Sequence, residues 1–314
     1  GFNMLASYNL ISSFTSYDFY ASAGTFTLGG KEYSVVAVVG GVILAILVAI
    51  CVLGGGKRIV KVTGVLVPVM GVLYILMALV VMVMNLNMIP SVLGRIFSEA
   101  FDFGAMFGGA VGFGSSAIMQ GIKRGLYSNE AGMGSTPHAH AQANVTDPHD
   151  QGVVAMIGVF MDTFVVLTLN ALVVISTLYT EGGPLANGYT GAVTETLSKT
   201  NLAQTAFGVV FGAEAGAMFV AVCLFFFAFS TVLSWNLFGK INAVYLFGKK
   251  AVPVYSVIAL VFIFLGTVMS NDLVWELTDM FNNLMVIPNA IALFALSNIV
   301  VRVADRKKAA GKKE

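Results

Sequence analysis

The sequence predicts an all-α, polytopic membrane protein, and three observations carry that prediction. Of 314 residues, 57% are hydrophobic and 11% are charged, whereas soluble domains carry about 25% charged residues. Mean hydropathy is +0.86. Several stretches hold roughly 20 apolar residues, the length a helix needs to cross the hydrocarbon core. The basic residues fall almost entirely on alternate loops between these stretches. Charge this sparse argues against a soluble enzyme, a nucleic-acid binder or a disordered regulator. A net charge of +1 implies no polyanionic partner. Cys51 and Cys223 lie far apart inside apolar runs, which suggests neither a disulfide framework nor a metal site.

The elements follow in order. Residues 1–14 are apolar with polar insertions and too short to span alone. The chain opens Gly-Phe-Asn-Met, without an initiator Met, signal peptide or polar tail, and is expected to be cut from a longer protein. Residues 35–53 form the first uncharged span and 62–84 the second. Residues 104–122 are apolar but hold six glycines, which weaken a continuous helix. Spans 152–178, 217–238, 254–269 and 281–303 follow, the first interrupted by Asp162. Segments 88–101 and 190–211 alternate apolar and polar residues at roughly helical spacing, as interfacial amphipathic helices or ordinary external loops would.

Fourteen basic residues lie on one side of this arrangement: Lys57, Arg58, Lys61, Lys123, Arg124, Lys240, Lys249, Lys250, Arg302, Arg306, Lys307, Lys308, Lys312 and Lys313. Only three, Lys31, Arg95 and Lys199, lie on the other. This positive-inside bias requires the glycine-rich segment to cross. It predicts seven crossings plus an N-terminal stub, with a cytoplasmic C-terminus.

Three places in the sequence have the composition of a binding or gating site. Gly108, Gly109, Gly112, Phe113 and Gly114 weaken a helix within the membrane. The freed N–H groups suit a carboxylate and the freed carbonyls a cation; close packing through small residues is the alternative. Residues 125–140, including Asn129, Glu130, Gly132 and Gly134, read as an ordered cytoplasmic loop with helix caps, with a gate or hinge as the sharper meaning. Ser230 and Thr231 place hydroxyls in the most apolar span, and Trp235 shares a face with Thr231. Hydroxyl oxygens suit a hard monovalent cation and an indole can wall a small substrate. A hydroxyl bonded back to its own helix, with a core tryptophan, is the competing account.

Asp162, counted about ten residues into its helix, is placed in the cytoplasmic half. A carboxylate there costs about 3 kcal/mol on insertion scales, so it should face protein or water as a structural partner, cation ligand or proton carrier. Glu214 sits at an external helix end. Pro288 should kink the last helix, with a gating hinge as the sharper meaning. His138, His140 and His149 lack the cysteine or well-spaced acid of a metal site. No Ser-His-Asp set, Walker loop or His-Glu-x-x-His string occurs, so no enzymatic activity and no cofactor are expected.

Several of these strings together resemble one family, the sodium-coupled alanine or glycine symporters of the amino acid–polyamine–organocation superfamily. The pattern Arg-Gly-x-x-Ser-Asn-Glu-Ala-Gly-x-Gly-Ser-x-Pro-x-Ala-x-Ala is met by Arg124 through Ala141. Ser230, Thr231 and Trp235 meet Ser-Thr-x-x-x-Trp. Asp279, Met285, Pro288 and Asn289 meet a third string, Asp-x-x-x-x-x-Met-x-x-Pro-Asn. Asn3, Met4 and Asn9 look like an Asn-Met-x-Gln-x-x-Asn region in which Ala6 stands where the family has Gln.

The resemblance covers essentially the whole chain and implies a leucine-transporter-like inverted-repeat fold, entered from the end of core helix three onward. On that scheme the chain is one transmembrane transporter domain, N-terminally truncated. Residues 1–86 complete the first inverted repeat, 87–303 form the second, and 304–314 are a basic cytoplasmic tail. The first core helix, which supplies backbone ligands to substrate and sodium in the resembling fold, would lie upstream.

The implied activity is sodium-coupled symport of alanine or glycine by alternating access, in the plasma membrane of a prokaryote. A transport-incompetent fragment and a channel are the rival outcomes. The expected partners are a small neutral amino acid, sodium as coupling ion and the lipid bilayer, with no nucleic acid. Gly108, Gly109, Gly112 and Gly114 would hold the substrate's charged ends, and Phe113 and Trp235 would limit its side chain. Ala6 would alter polar contact with it. Thr231, with Ser230, would supply sodium oxygens. Asn129, Glu130, Gly132, Gly134, Asp162 and Pro288 would gate or support the structure.

Overall fold

The computed structural model describes residues 1–102, 117–130, 132–186, 197 and 201–310. These residues are overwhelmingly helical. Six helices among them are long and apolar enough to cross a membrane: Val35–Val52, Gly56–Met84, Pro148–Leu178, Ala213–Phe247, Lys249–Val268 and Asn271–Arg306. Most of the remaining predicted crossing, 104–122, lies outside the described residues.

The chain begins with α1 (Phe2–Ser12) and α2 (Asp18–Ser22). A hairpin follows that the span pattern does not predict: β1 (Thr25–Leu28) runs antiparallel to β2 (Lys31–Ser34), with Leu28 opposite Lys31. Its turn is Gly29-Gly30, at φ +60° and +77°. A two-residue hairpin turn of this kind needs positive φ at both positions, which glycine alone adopts without cost. The paired glycines between two short polar–apolar runs are the sequence signal.

Ser34 caps α3 (Val35–Leu53), its Oγ accepting from the Ala37 N–H at 3.5 Å. Next come α4 (Gly56–Met84) and α5 (Ile89–Ala100), so segment 88–101 is helical rather than an irregular loop. Beyond the glycine-rich segment lie α6 (Ala117–Asn129) and the short α7 (Thr136–His140). Residues 125–129 therefore belong to a helix, and the expected loop begins only at Glu130. Then α8 (Pro148–Phe160) passes into a π-helical stretch, Met161–Leu167, and continues as α9 (Thr168–Leu178). The chain ends with α10 (Leu202–Phe211), α11 (Ala213–Phe247), α12 (Val252–Val268) and α13 (Asn271–Ala310). The last of these is continuous through Pro288.

Two compact units divide the chain. The first contains residues 1–92 and 169–278. In it α1 packs against α11, α12 and α3, while α11 also packs against α4 and α10. Its core joins Ala6 and Leu10 to Leu44, Val48, Val52, Ala228, Val232, Leu233 and Ile263. Lipid tails are as apolar as these side chains, so close van der Waals fit matters more here than hydrophobic transfer. Gly266 illustrates this: a Cβ there would fall 2.6 Å from Met4 Cα, so only glycine lets α12 lie this close to α1.

Helix α4 shows how apolar residues are divided. Met70, Tyr74, Ala78 and Val81 are buried at helical spacing, while Val65, Val69, Val72 and Leu76 on another face are exposed. A helix apolar on both faces, packed on one, suits lipid contact on the other. The second unit contains residues 93–168 and 279–314. Its described part includes α6, α7, α8, the π-helical stretch and residues 279–310 of α13.

Candidate functional site

In the first unit, α11 carries Ser230, Thr231 and Trp235. Ser230 is buried, and its hydroxyl donates to the Phe227 carbonyl at 3.0 Å, the back-bond usual for a helical serine. The Thr231 hydroxyl makes no hydrogen bond among the described residues. A threonine inside an apolar helix normally makes that back-bond, so a free hydroxyl leaves an oxygen available. One turn further on, Trp235 stacks on Phe2 of α1, ring centroids 3.9 Å apart and planes 6° from parallel, with Phe238 edge-on at 5.7 Å.

Ala6 is buried in the apolar core beside Ala228 and Val232. Its methyl packs where the resemblance sets an amide. Asn236, adjacent to Trp235, is 1% exposed, and neither its Oδ1 nor its Nδ2 has a partner among the described residues. The Oδ1 of Asn3 in α1 is likewise buried and unpartnered there. An amide inside the most apolar span is the signal that marks Asn236, since such groups are costly in lipid unless satisfied. Glu214 lies in the first turn of α11, where the helix dipole favours a carboxylate. Gly108, Gly109, Gly112, Phe113 and Gly114 lie outside the described residues.

The second unit gathers most of the long motif. At the end of α6, Ser128 Oγ donates to Asp162 Oδ2 at 2.6 Å. One residue further along both elements, Thr163 Oγ1 donates to Asn129 Oδ1 at 2.8 Å. Asn129 Nδ2 donates to the Gly125 carbonyl at 3.3 Å, which fixes the amide's orientation. Asp162 and Thr163 open the π-helical stretch, whose i→i+5 bonding widens the turn. The helix starts at Pro148, four residues before the predicted span. Asp162 therefore stands near the middle of Pro148–Leu178, further along the helix than the span pattern counts it.

Glu130 turns the chain out of α6 with φ +52°, the one non-glycine residue with positive φ among those described. Its Oε2 accepts from the buried Ser135 hydroxyl at 2.7 Å. Gly132 and Gly134 also have positive φ, +105° and +81°. A Cβ on Gly134 would sit 3.0 Å from the Asn289 Cβ of α13, one residue after Pro288. The two glycines thus serve backbone conformation and close approach. Arg124 Nη1 lies 3.3 Å from Asp279 Oδ1, and Lys123 Nζ 4.0 Å from Asp279 Oδ2.

The rings of His138 and His140 are hydrogen-bonded locally, and His149 Nδ1 has no hydrogen-bond partner among the described residues. His138 Nδ1 donates to the Ser135 carbonyl at 2.9 Å, Gln151 Nε2 donates to His140 Nδ1 at 2.6 Å, and His149 lies 3.7 Å from Asp150. No group of three metal-ligating His, Cys, Asp or Glu side chains occurs among the described residues.

The whole chain, residues 1–314, matches the sequence profile of the sodium:alanine symporter family. It is 40% identical over 271 residues to the sodium/alanine symporter AgcS of Methanococcus maripaludis, an alignment covering 86% of this chain and 57% of that protein. The chain belongs to the sodium:alanine symporter family. Two further relatives are the probable sodium/glutamine symporter GlnT of Bacillus subtilis, 37% identical over 87% of this chain and 54% of its own length, and the sodium/proton-dependent alanine carrier protein of Bacillus sp. (strain PS3), 34% identical over 85% of this chain and 60% of its own length. The chain spans little more than half the length of these relatives. The symporter family consists of transporters rather than enzymes.

Proposed function

We propose that this protein serves sodium-coupled symport of a small neutral amino acid, alanine or glycine, by alternating access. The reading places it in the plasma membrane of a prokaryote with a cytoplasmic C-terminus. Sodium moving inward gains about 2.3 kcal/mol per charge and 100 mV of membrane potential, and that gradient would drive uptake. The glycine-rich segment around Gly108, Gly109, Gly112 and Gly114 would hold the substrate's charged ends, with Phe113 and Trp235 limiting its side chain. The names of these relatives support sodium coupling and an amino-acid substrate.

The observation that carries the reading on this chain is the free hydroxyl of Thr231, one turn from the Trp235–Phe2 stack. In this scheme Thr231 supplies an oxygen to sodium and Trp235 closes the pocket over a small side chain. The charge alternation of the loops supports the orientation. The test is radiolabelled alanine uptake into vesicles containing the protein, with sodium inside or outside. Thr231→Val should abolish sodium-dependent uptake while membrane expression persists, and Thr231→Ser should retain it. Unchanged sodium dependence in Thr231→Val sinks the assignment.

A further inference from the structure

The geometry points to a monovalent-cation site at the junction of α6 and the π-helical stretch, built on the carboxylate of Asp162 with Ser128, Thr163 and Asn129, and taking sodium. The site shares no residue with the proposed α11 site. It rests on the symport reading only for the identity of the ion that is available.

Four observations converge. First, Asp162 is near the middle of a helix long and apolar enough to cross the membrane, where an uncompensated carboxylate is unfavourable. Second, no ion pair among the described residues includes Asp162; its hydrogen bond is with the neutral Ser128 hydroxyl. The two cations on α6, Lys123 and Arg124, are directed to Asp279 instead. Third, the oxygens do not come from one pair alone. The Thr163 hydroxyl and the Asn129 amide oxygen meet 2.8 Å apart, one residue along from the Ser128–Asp162 contact. Fourth, the backbone here is π-helical, an arrangement that interrupts the ordinary i→i+4 ladder and recurs at functional sites. Its wider turn lets the successive residues 162 and 163 both reach α6.

The chemistry selects the ion. Carboxylate, hydroxyl and amide oxygens are hard donors, which suit sodium, magnesium or calcium rather than a soft metal. One carboxylate neutralises one positive charge. A divalent ion would leave a net charge inside a membrane helix, as costly as the bare carboxylate. Sodium entry requires the Ser128 proton to leave Asp162. The carbonyl of Arg124, four residues back on the same helix, is the acceptor a helical serine ordinarily uses. Both oxygens can then face the ion. Thr163 can keep its proton on Asn129 while its lone pair points inward.

Equilibrium binding of radioactive sodium to the purified protein in lipid nanodiscs tests this, at constant ionic strength and with and without alanine. Asp162→Asn should remove a saturable sodium component or weaken it by about tenfold or more. Ser128→Ala and Thr163→Val, which keep the carboxylate, should weaken it by roughly threefold. They decide the matter if Asp162→Asn fails to fold. Sodium isotherms unchanged in all three variants overturn the site. So does the absence of saturable sodium binding to the unmodified protein. A variant that alters only the pH dependence, with sodium binding intact, overturns it in favour of a proton carrier. Sodium binding that depends on Asp162 but ignores alanine leaves this site standing, whereas sodium-dependent alanine uptake unchanged in Thr231→Val counts against the α11 assignment alone.

Discussion

The indole of Trp235 lies flat on the ring of Phe2, with centroids 3.9 Å apart and planes 6° from parallel. The contact fastens α1 to α11 one turn from Thr231, and it orients the tryptophan through a partner in a different helix. On the proposed reading, a wall held in this way would have a fixed shape and would exclude substrates by size.

Trp235→Ala should therefore widen the range of neutral amino acids that compete with alanine for uptake. Larger competitors should gain roughly tenfold in apparent affinity, the scale on which a cavity discriminates by a methylene or two. Phe2→Ala should produce a smaller shift in the same direction, because it frees the indole without removing it. Each change also removes an aromatic pair contributing about 1 kcal/mol beyond burial. A competition profile identical to the unmodified protein's in Trp235→Ala rules out the size filter.

Ser230 and Thr231 are neighbours in sequence but not in hydrogen bonding. Ser230 donates to Phe227, and the Thr231 hydroxyl is free among the described residues. Ser230→Ala should lower apparent sodium affinity by no more than roughly threefold, the worth of one ordinary hydrogen bond. Thr231→Val should remove the sodium response altogether. Sodium titrations of alanine uptake compare the two. Equal losses would place both oxygens on the ion.

The sequence predicts the spans well because apolar runs of this length permit little else in a bilayer. Residues 35–53 coincide with α3. The ends are harder to see. Basic Lys57, Arg58 and Lys61 look like loop yet lie within α4, where Arg58 Nη1 donates to the Ile50 carbonyl at the end of α3 at 2.9 Å. The long motif is visible as a string, but its pairing is not. Nothing local in Ser128 or Asn129 reports partners 34 residues away. The π-helical stretch has no propensity signature comparable to a glycine or proline, and Asn236 reveals itself only through burial.

Gly134 offers a test of that motif's architecture. Its φ of +81° costs an ordinary residue about 1–2 kcal/mol, and a Cβ would also press on Asn289 at 3.0 Å. Gly134→Ala should lower the thermal midpoint of the purified protein. Adding Asn289→Ala should recover part of the loss, the part due to contact and not to backbone. Gly158→Ala, inside α8 with nothing within 4 Å of its added methyl, should instead be neutral or stabilise by up to about 1 kcal/mol. Equal destabilisation at both glycines would contradict the distinction.

Asp279 lies close to both Arg124 and Lys123, but the cations are 39% and 37% exposed. Solvent weakens such pairs, whose worth is about 0–1 kcal/mol. Asp279→Asn should therefore shift the thermal midpoint only slightly. A large shift would show that the pairs are shielded from water in the membrane-embedded protein.

Asn236 carries the sharpest contrast between stability and function. It is 1% exposed, and both polar atoms of its side chain lack partners among the described residues. A buried amide left without partners costs about 1–3 kcal/mol, and leucine fills a similar volume with no polar group to satisfy. Asn236→Leu should raise the thermal midpoint of the ligand-free protein. It should also abolish the further stabilisation produced by alanine with sodium, if the amide is kept unpaired in order to meet a polar ligand. Such a trade is the pattern expected where a binding site is retained at the expense of stability. Melting curves of the purified protein, alone and with alanine and sodium together, measure both effects in one experiment. A lower midpoint without ligand would mean that the amide is already satisfied, and an undiminished ligand response would remove Asn236 from the site.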